Sequence, residues 1–261
     1  MGILNVTPDS FSDGGDHFAH QDAVAHGLRM IAEGADITDV GGESTRPGAD
    51  PTSPEEQLRR TIPVIRVLRQ HNPDIIISID TRSAAVARSA LEAGADMVND
   101  VAALQDDPDM AGVIAASSAA VVLMHRRGTS ADMQVDGGPH YDDVIAEISE
   151  FLRERRDFAV RSGIDRSRII FDPGLGFGKR VEHNLTILRH LDQLVALGQP
   201  LLIGASRKRF IGSVLGEDDP RRRLAGSLAC AVQAALEGAS ILRVHDVRPT
   251  VEAIRLIFAV S

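Results

Sequence analysis

Polar and charged side chains follow nearly every short apolar run of this 261-residue chain. They are Asn5, Glu43, Asp80, Asn99, Asp100, His125, Asp172, Ser206, Lys208, Arg243 and His245. Carboxylates, amides and cations of this kind orient a ligand rich in hydrogen-bonding groups or stabilise an anionic one. A single residue of this type is more typical of a helix cap or a turn. Because so many apolar runs end in the same way, the pattern predicts one shared polar site.

Lys208 stands out in a chain that strongly favours arginine. Of the 28 basic residues only Lys179 and Lys208 are lysines, and the other 26 are arginines. Lys208 lies between Arg207 and Arg209, where a randomly placed surface charge would be another arginine. We therefore treat Lys208 as a candidate functional cation.

The apolar runs that precede these residues predict eight β-strands. The predicted strands are residues 2–6, 36–40, 75–79, 96–98, 120–124, 168–171, 200–203 and 241–244. Several runs, such as Ile75-Ile76-Ile77, are apolar at successive positions. This pattern is typical of strands that are buried on both faces of a parallel sheet.

Helical segments separate the strands. The predicted helices are residues 20–33, 55–71, 83–93, 109–117, 143–162, 181–194, 221–237 and 250–260. In the segment 181–194 apolar residues recur every three or four positions, and Gly198 follows as a stop signal. Strand and helix alternate about eight times over 261 residues, which predicts an α/β protein with one domain, residues 1–261, folded as a (β/α)8 TIM barrel. An open doubly wound sheet uses the same alternation and is the competing topology.

Composition limits the partners that we expect. A net charge of −9 and a pI near 5.4 argue against a nucleic-acid or anionic-membrane surface, because both require a broad field of positive charge. An anionic substrate would need a local cationic pocket. The single cysteine, Cys230, excludes a disulfide within the chain, and the first residues lack the features of a signal peptide. We expect a cytoplasmic protein and interpret the charge runs 153–156 and 221–223 as solvent-facing.

The strongest motifs lie in two loops that contain glycine pairs. Residues 2–15 read GILNVTPDSFSDGG and residues 41–48 read GGESTRPG. These stretches resemble the first two signatures of the dihydropteroate synthase family. The family's later blocks follow in order as SIDT at 78–81, NDV at 99–101, MH at 124–125, DPGLGF at 172–177, GASRK at 204–208 and RVHDV at 243–247. The resemblance covers essentially the whole chain.

The resemblance implies a pterin slot deep in the barrel. Asp80, Asn99, Asp172 and Lys208 would hydrogen-bond the pterin ring, with Met124 also among the substrate-binding residues. A pterin edge has several fixed donors and acceptors, and buried carboxylates and amides match them more selectively than an apolar pocket does.

The same resemblance implies sites for the other reactants. Mg²⁺ on Asn5, together with Arg243, His245, Thr45 and Arg46, would hold a pyrophosphate group. Three further residues, Phe11, Pro47 and Phe177, would shape the p-aminobenzoate pocket, where sulfonamides would compete. The resemblance also implies a homodimer. Relatives usually carry further residues before the position of Met1 that help cover the barrel floor.

The implied reaction is a step of folate biosynthesis. Pyrophosphate leaves the methylene carbon of 6-hydroxymethyl-7,8-dihydropterin pyrophosphate, and the amine of p-aminobenzoate attacks the carbocation-like centre to give 7,8-dihydropteroate. The expected catalytic residues are Asp80, Asp172, Lys208, Arg243 and His245. An aromatic amine is nucleophilic while neutral, so the early step needs positioning more than a general base.

Three competing functions and one departure from the family pattern accompany this interpretation. The competing functions are a non-catalytic pterin-binding paralogue of the same fold, a pterin-dependent methyltransferase, and an aldolase that forms a Schiff base on Lys208. The departure is Arg209, which stands where many members have a serine that helps bind p-aminobenzoate.

Overall fold

Eight parallel strands form the centre of the molecule. The computed structural model describes residues 1–6, 15–43, 52–128 and 140–260. The strands are β1 Gly2–Asn5, β2 Ile37–Gly41, β3 Ile76–Asp80, β4 Met97–Asp100, β5 Ala120–Met124, β6 Ile169–Asp172, β7 Leu202–Ile203 and β8 Ile241–Leu242. Each corresponds to a predicted strand, and the bounds differ by at most two residues at either end.

The strands follow one another around a ring. β1 to β6 pair in chain order as one parallel sheet, and β7 pairs in parallel with β8. Single parallel bridges join Phe171 of β6 to Leu201, and Gly2 of β1 to Val244. The N–H of Ile3 donates to the carbonyl of Val244 at 2.9 Å, so the chain returns from its last strand to its first. This order differs from that of a doubly wound sheet, and the fold is a (β/α)8 barrel.

Helices follow the strands and pack against them. They are α1 Gly15–Ala32, α2 Pro54–His71, α3 Ala84–Glu92, α4 Met110–Ala115, α5 Val144–Arg161, α6 Val181–Arg189, α7 Leu191–Val195, α8 Arg209–Leu215, α9 Leu224–Leu236 and α10 Val247–Val260. Two short 3-10 turns, Arg166–Arg168 and Pro220–Arg222, precede β6 and α9. Among the residues that the structure describes, no helix is long and apolar enough to span a bilayer.

The predicted helix 181–194 is divided at His190. This residue has φ −125° and ψ 34°, outside the helical region, and it separates α6 from α7. Leu188, Leu191 and Leu194 are nevertheless all buried. The apolar stripe continues through the interruption, so its spacing could not reveal the break.

Helix α8 has no counterpart among the predicted helices. It has seven residues, of which Phe210 and Ile211 bury their apolar side chains while Val214 and Leu215 remain more than half exposed. Two turns give too few buried positions for a helical period to be recognised in the sequence.

The barrel interior has an apolar layer below a polar one. Six buried residues contributed by the strand region, Met1, Ile37, Met97, Val122, Ile170 and Leu202, form a hydrophobic cluster separate from the main core. Side chains two residues further along a strand point to the same face. Asp39, Asn99, Met124 and Asp172 therefore lie above this cluster, toward the C-terminal ends of the strands.

The two charge runs are only partly solvent-facing, which corrects the interpretation of both. Arg155 is 8% exposed and donates from Nε to the carbonyl of Ala103 at 2.8 Å. Arg223 is 7% exposed and donates to the carbonyl of Arg207 at 3.0 Å. Each run contains one buried arginine that supports the backbone of a loop, whereas Arg153, Glu154, Arg221 and Arg222 are exposed.

Candidate active site

One level of the barrel carries polar residues on adjacent strands. Asn5 is aligned with Gly41, Gly41 with Asp80, and Asp80 with Asn99. A Cβ atom at Gly41 would lie 3.6 Å from Asn5 Oδ1 and 3.6 Å from Asp80 Cβ, so the glycine separates these two side chains without filling the space. Three predicted site residues thus meet at the C-terminal ends of β1, β3 and β4.

Arg243, which follows β8, reaches the same level from the far end of the chain. Its Nε donates to Asp39 Oδ2 at 2.7 Å and its Nη2 donates to Asp80 Oδ2 at 2.7 Å. The amide of Asn99 donates to the same Asp39 oxygen at 3.1 Å. Charge-assisted hydrogen bonds to two carboxylates fix the guanidinium plane and use two of its five N–H donors.

Asp39 is the site residue that the sequence did not reveal. Its side chain is fully buried, and Oδ1 has no hydrogen-bond partner among the described residues. A buried carboxylate oxygen without a partner is costly unless a ligand or water completes it. The only signal in the sequence was a charge inside the otherwise uncharged run Ile37-Thr38-Asp39-Val40.

Burial raises the pKa of Asp80 to about 7, even though the charge of Arg243 opposes the shift. The neighbouring carboxylates of Asp39 and Glu43 raise this pKa further. Burial alone would lower the pKa of Arg243, but Asp39 and Asp80 outweigh it and raise that pKa. The cluster therefore holds a permanent cation next to a carboxyl group whose pKa is raised by burial.

Asp172 occupies the next part of the barrel mouth. It ends β6 and is aligned with Met124 of β5, and both side chains are buried. Asp172 Oδ1 accepts a hydrogen bond from the N–H of Gly174 at 2.7 Å. Burial raises the pKa of Asp172, while Lys208, the N–H of Gly174, Lys179 and Arg243 act in the opposite direction.

Lys208 faces Asp172 from the loop after β7. Its Nζ donates to the carbonyl of Leu175 and lies 4.7 Å from the centroid of the Phe177 ring. Burial lowers the pKa of Lys208 to about 8, and Asp172 opposes this shift. A Cβ atom at Gly204 would lie 3.9 Å from Lys208 Nζ and 3.8 Å from Arg243 Cβ, so both cations border the same space.

The loops after β7 and β8 hold each other in place. Ser206 Oγ lies 3.0 Å from His245 Nδ1 and accepts from the N–H of His245 at 3.2 Å. Arg207 has a strained φ of 60° and donates from Nε and Nη2 to the Asp246 carboxylate at 3.0 and 2.5 Å. Ser227 Oγ accepts from the N–H of Arg207 at 2.9 Å. A strained residue with these contacts is over-determined by its surroundings, as is typical of functional loops.

The predicted residues of the two glycine-containing loops lie outside the described residues. They are Phe11, Thr45, Arg46 and Pro47. The remaining predicted site residues are described, and Asp80, Asp172, Lys208 and His245 all lie at the C-terminal mouth of the barrel. One binding site can include these four residues only if they lie together in this way.

Similarity to known proteins agrees with this geometry. Residues 1–245 match the family model described as pterin binding enzyme. A dihydropteroate synthase of Synechocystis sp. is 49% identical over 247 residues, which cover 95% of this chain and 84% of that protein. The chain belongs to the pterin-binding dihydropteroate synthases. The assignment to this family confirms the resemblance found in the sequence.

Solved dihydropteroate synthase structures have the same fold. The enzyme of Xanthomonas albilineans with 4-aminobenzoic acid is 50% identical and superposes with a TM-score of 0.92, covering 99% of this chain and 91% of that one. The same enzyme in complex with 7,8-dihydropteroate is 47% identical with a TM-score of 0.89, covering 99% and 92%. The chain is accordingly a transferase, and the similarities support neither a paralogue without activity nor a methyltransferase or an aldolase.

A metal site in this protein would depend mainly on the substrate. Among the described residues, no group of three or more His, Cys, Asp or Glu side chains could hold a metal ion. Asn5 offers an amide oxygen, and carbonyl oxygens are among the ligands that suit Mg²⁺. At phosphate-binding sites Mg²⁺ takes few protein ligands, because substrate phosphates and water supply the rest. The donor chemistry of Asn5 fits an ion of this kind brought in with a pyrophosphate group.

Proposed function

We propose that this polar mouth binds 6-hydroxymethyl-7,8-dihydropterin pyrophosphate and p-aminobenzoate and forms 7,8-dihydropteroate and pyrophosphate. The observation that carries the proposal is the linked set of Asp80, Asn99 and Arg243 facing Asp172 and Lys208 across one barrel mouth. The test is p-aminobenzoate-dependent release of pyrophosphate in the presence of Mg²⁺. No turnover at saturating substrate concentrations would reject the proposal.

The pterin ring is held by Asp80, Asn99, Asp172 and Lys208. Carboxylates accept hydrogen bonds from the ring N–H groups, and the amide and ammonium groups donate to its oxygen and nitrogen atoms. Met124 is buried beside Asp172 and supplies an apolar contact to a flat heterocycle. Buried groups that are satisfied only by the correct ring give selectivity, because another ligand would leave them unpaired.

The leaving group is held at the other side of the mouth. Arg243 and His245 stabilise the charge that develops on the pyrophosphate oxygen as the C–O bond breaks. Thr45 and Arg46 contribute from the loop after β2. A Mg²⁺ ion bound with Asn5 and the diphosphate would neutralise part of the same charge.

The amine of p-aminobenzoate attacks the methylene carbon. The electron pair of the C–O bond leaves with pyrophosphate, the amine nitrogen forms the new C–N bond, and this nitrogen then loses a proton. Phe177, which lies against Lys208, shapes the pocket together with Phe11 and Pro47. Sulfonamides compete there because they present a similar aromatic amine.

A comparison of two alanine substitutions tests the position of the ring. Asp80→Ala should weaken pterin binding at least about tenfold, because a buried carboxylate contact and the partner of Arg243 are lost together. Phe11→Ala should change pterin binding by less than about threefold, since Phe11 belongs to the p-aminobenzoate pocket. Calorimetry with the pterin substrate measures both, and equal losses would mean that the ring has been misplaced.

A pH profile tests the charge of Lys208. Because burial lowers the pKa of Lys208 to about 8, kcat/KM for the pterin substrate should fall as the pH rises through about 8. Lys208→Arg keeps the charge at every accessible pH and should move this alkaline limb upward, with lower activity because a planar guanidinium replaces a compact ammonium. If kcat/KM of Lys208→Met still falls at the same alkaline pH, a group other than Lys208 causes that fall.

We further propose that residues 1–261 form one domain and act as a cytoplasmic homodimer. The family match to residues 1–245 and the ring of eight strands support one domain. Exposed apolar side chains on α9 and α10, namely Leu236, Leu256 and Phe258, support an interface there. Light scattering after size-exclusion chromatography should give twice the 28.0 kDa chain mass, and Phe258→Lys should give the monomer.

A further inference from the structure

Lys179, the other lysine of the chain, is buried in the loop after β6. Its side chain lies between the loops that follow β5 and β6 and contacts three acceptors. Nζ is 2.9 Å from His125 Nδ1 and donates to the carbonyls of His125 at 3.2 Å and Phe177 at 3.0 Å. An ammonium has three donors around one nitrogen, whereas a guanidinium is planar, so this arrangement selects lysine over arginine.

His125 serves as an acceptor for Lys179. Burial, with Lys179 and Arg127 nearby, lowers the pKa of His125 to about 2, so its ring is neutral. The ring packs edge-on against Phe151 with centroids 4.9 Å apart, which fixes its orientation. A neutral ring with Nδ1 toward Lys179, plus two carbonyls, complements the protonated amine. Burial lowers the pKa of Lys179 well below its usual range, whereas the charge of Asp172 and the three acceptors around Nζ favour the protonated amine.

The contacts of Lys179 lead directly to the proposed pterin site. The backbone of His125 links Lys179 to Asp172. Its carbonyl accepts a hydrogen bond from Lys179 Nζ, and its N–H donates to the Asp172 carbonyl at 2.9 Å. Phe177, whose carbonyl also accepts from Lys179, places its ring against Lys208. Displacement of Nζ would therefore disturb the backbone of His125, which is bonded to Asp172, and the backbone of Phe177.

Lys179 is also one of three cations that face Asp172, the others being Lys208 and Arg243. The charged groups around Lys179 itself are Asp172, Lys208 and Arg127. Both lysines of a chain with 26 arginines thus interact with the same carboxylate. The family match and the proposed reaction give no role to Lys179.

We propose that Lys179 is a positioning residue for the pterin substrate: it connects the loops after β5 and β6 and supplies a second ammonium charge beside Asp172. Lys208 contacts the substrate, and Lys179 acts from behind Asp172. This inference rests on the proposed function, because it assumes that Asp172 binds the pterin ring as a carboxylate.

Two substitutions separate the charge from the connection. Lys179→Met removes both, whereas Lys179→Gln keeps a hydrogen-bond donor without the charge. Loss of a cation should raise the pKa of Asp172 further, so in both variants the part of the acid limb that belongs to Asp172 should move to higher pH by about one unit, in pterin binding and in kcat/KM. The part that belongs to Asp80, whose pKa burial raises to about 7, should stay in place. Pterin affinity at neutral pH should fall about tenfold in Lys179→Met and less in Lys179→Gln. Calorimetry from pH 5 to 8 measures binding without turnover.

Arg180→Met is the matched control, because Arg180 is the next residue, is exposed, and pairs with Glu182 at 3.5 Å on the surface. It should keep the wild-type acid limb and affinity. An unmoved acid limb in both Lys179 variants, with or without weaker binding, would overturn the inference. Failure of both variants to fold would assign Lys179 to stability and overturn it too. Absence of turnover in the wild-type protein would instead reject the proposed function, while the pH dependence of pterin binding would still test Lys179.

Discussion

Arg243→Ala is expected to remove nearly all activity and to destabilise the protein. The guanidinium is the partner of two carboxylates, and removing it would leave Asp39 and Asp80 buried without their cation. Breaking a buried ion pair on one side costs about 3 to 5 kcal/mol, and the lower end applies here because a fifth of the Arg243 side chain is exposed. Loss of a cation that stabilises the leaving pyrophosphate should lower kcat/KM by about 10²- to 10³-fold.

The loss of stability should depend on pH. Without Arg243 the pKa of Asp80, already raised to about 7 by burial, would rise further above its unfolded value of 3.8. A carboxyl group with a raised folded-state pKa favours folding at low pH, and this contribution is lost as the pH rises through the folded-state pKa. Urea unfolding at pH 5 and pH 8 should therefore show a smaller difference from the wild type at pH 5.

Two further variants make this result specific to Arg243. Arg243→Lys keeps one charge but cannot contact both carboxylates in the same way, so its stability and activity should be intermediate. Arg248→Ala removes an exposed arginine five residues further along and should change the unfolding free energy by less than about 0.5 kcal/mol. An Arg243→Ala protein as stable as the wild type at pH 8 would mean that the ion pairs of Arg243 with Asp39 and Asp80 do not stabilise the fold.

The sequence predicted the strand ends well because a polar residue after an apolar run is a local signal. Asp80, Asn99 and Asp172 each follow such a run, and the barrel topology then brings them to one mouth. Asp39 was not predicted because it lies within strand β2 and not at its end. Side chains along a strand alternate between the two faces of the sheet, and this alternation points Asp39 into the barrel. Its partner Arg243 lies 204 residues away, and only the closed ring brings the two together.

Charge patterns were less informative than strand ends. Arg155 and Arg223 belong to runs that look solvent-facing, yet each donates to backbone carbonyls of a loop near the mouth. A buried guanidinium group must have its donors hydrogen-bonded, and these carbonyls supply the acceptors. The sequence marked Lys179 only as one of the two lysines of the chain. Its surroundings could not be predicted, because its three acceptors belong to residues 54 and two positions away.

Gly174→Ala is expected to disrupt the mouth from the backbone. Gly174 has φ +68°, and a Cβ atom there would lie 1.9 Å from the carbonyl oxygen of His125 and 3.2 Å from Met124 Cγ. A backbone carbonyl cannot rotate away as a flexible side chain can, so the loops after β5 and β6 must separate. This movement would displace the N–H that Gly174 donates to Asp172 and the His125 carbonyl that accepts from Lys179. A displacement of about 1 Å at a reacting group can cost about 10²-fold in rate.

Gly198→Ala separates this clash from the backbone strain that accompanies it. Gly198 has φ +81°, but a Cβ atom there would have nothing within 4 Å. Alanine in the left-handed region costs about 1 to 2 kcal/mol by itself, so both variants should lose that much stability. Only Gly174→Ala should lose more, together with about 10²-fold in kcat/KM for the pterin substrate. Equal unfolding free energies and equal activities in the two variants would mean that the loops after β5 and β6 do not meet at Gly174, and the close approach that positions Asp172 would then be wrong.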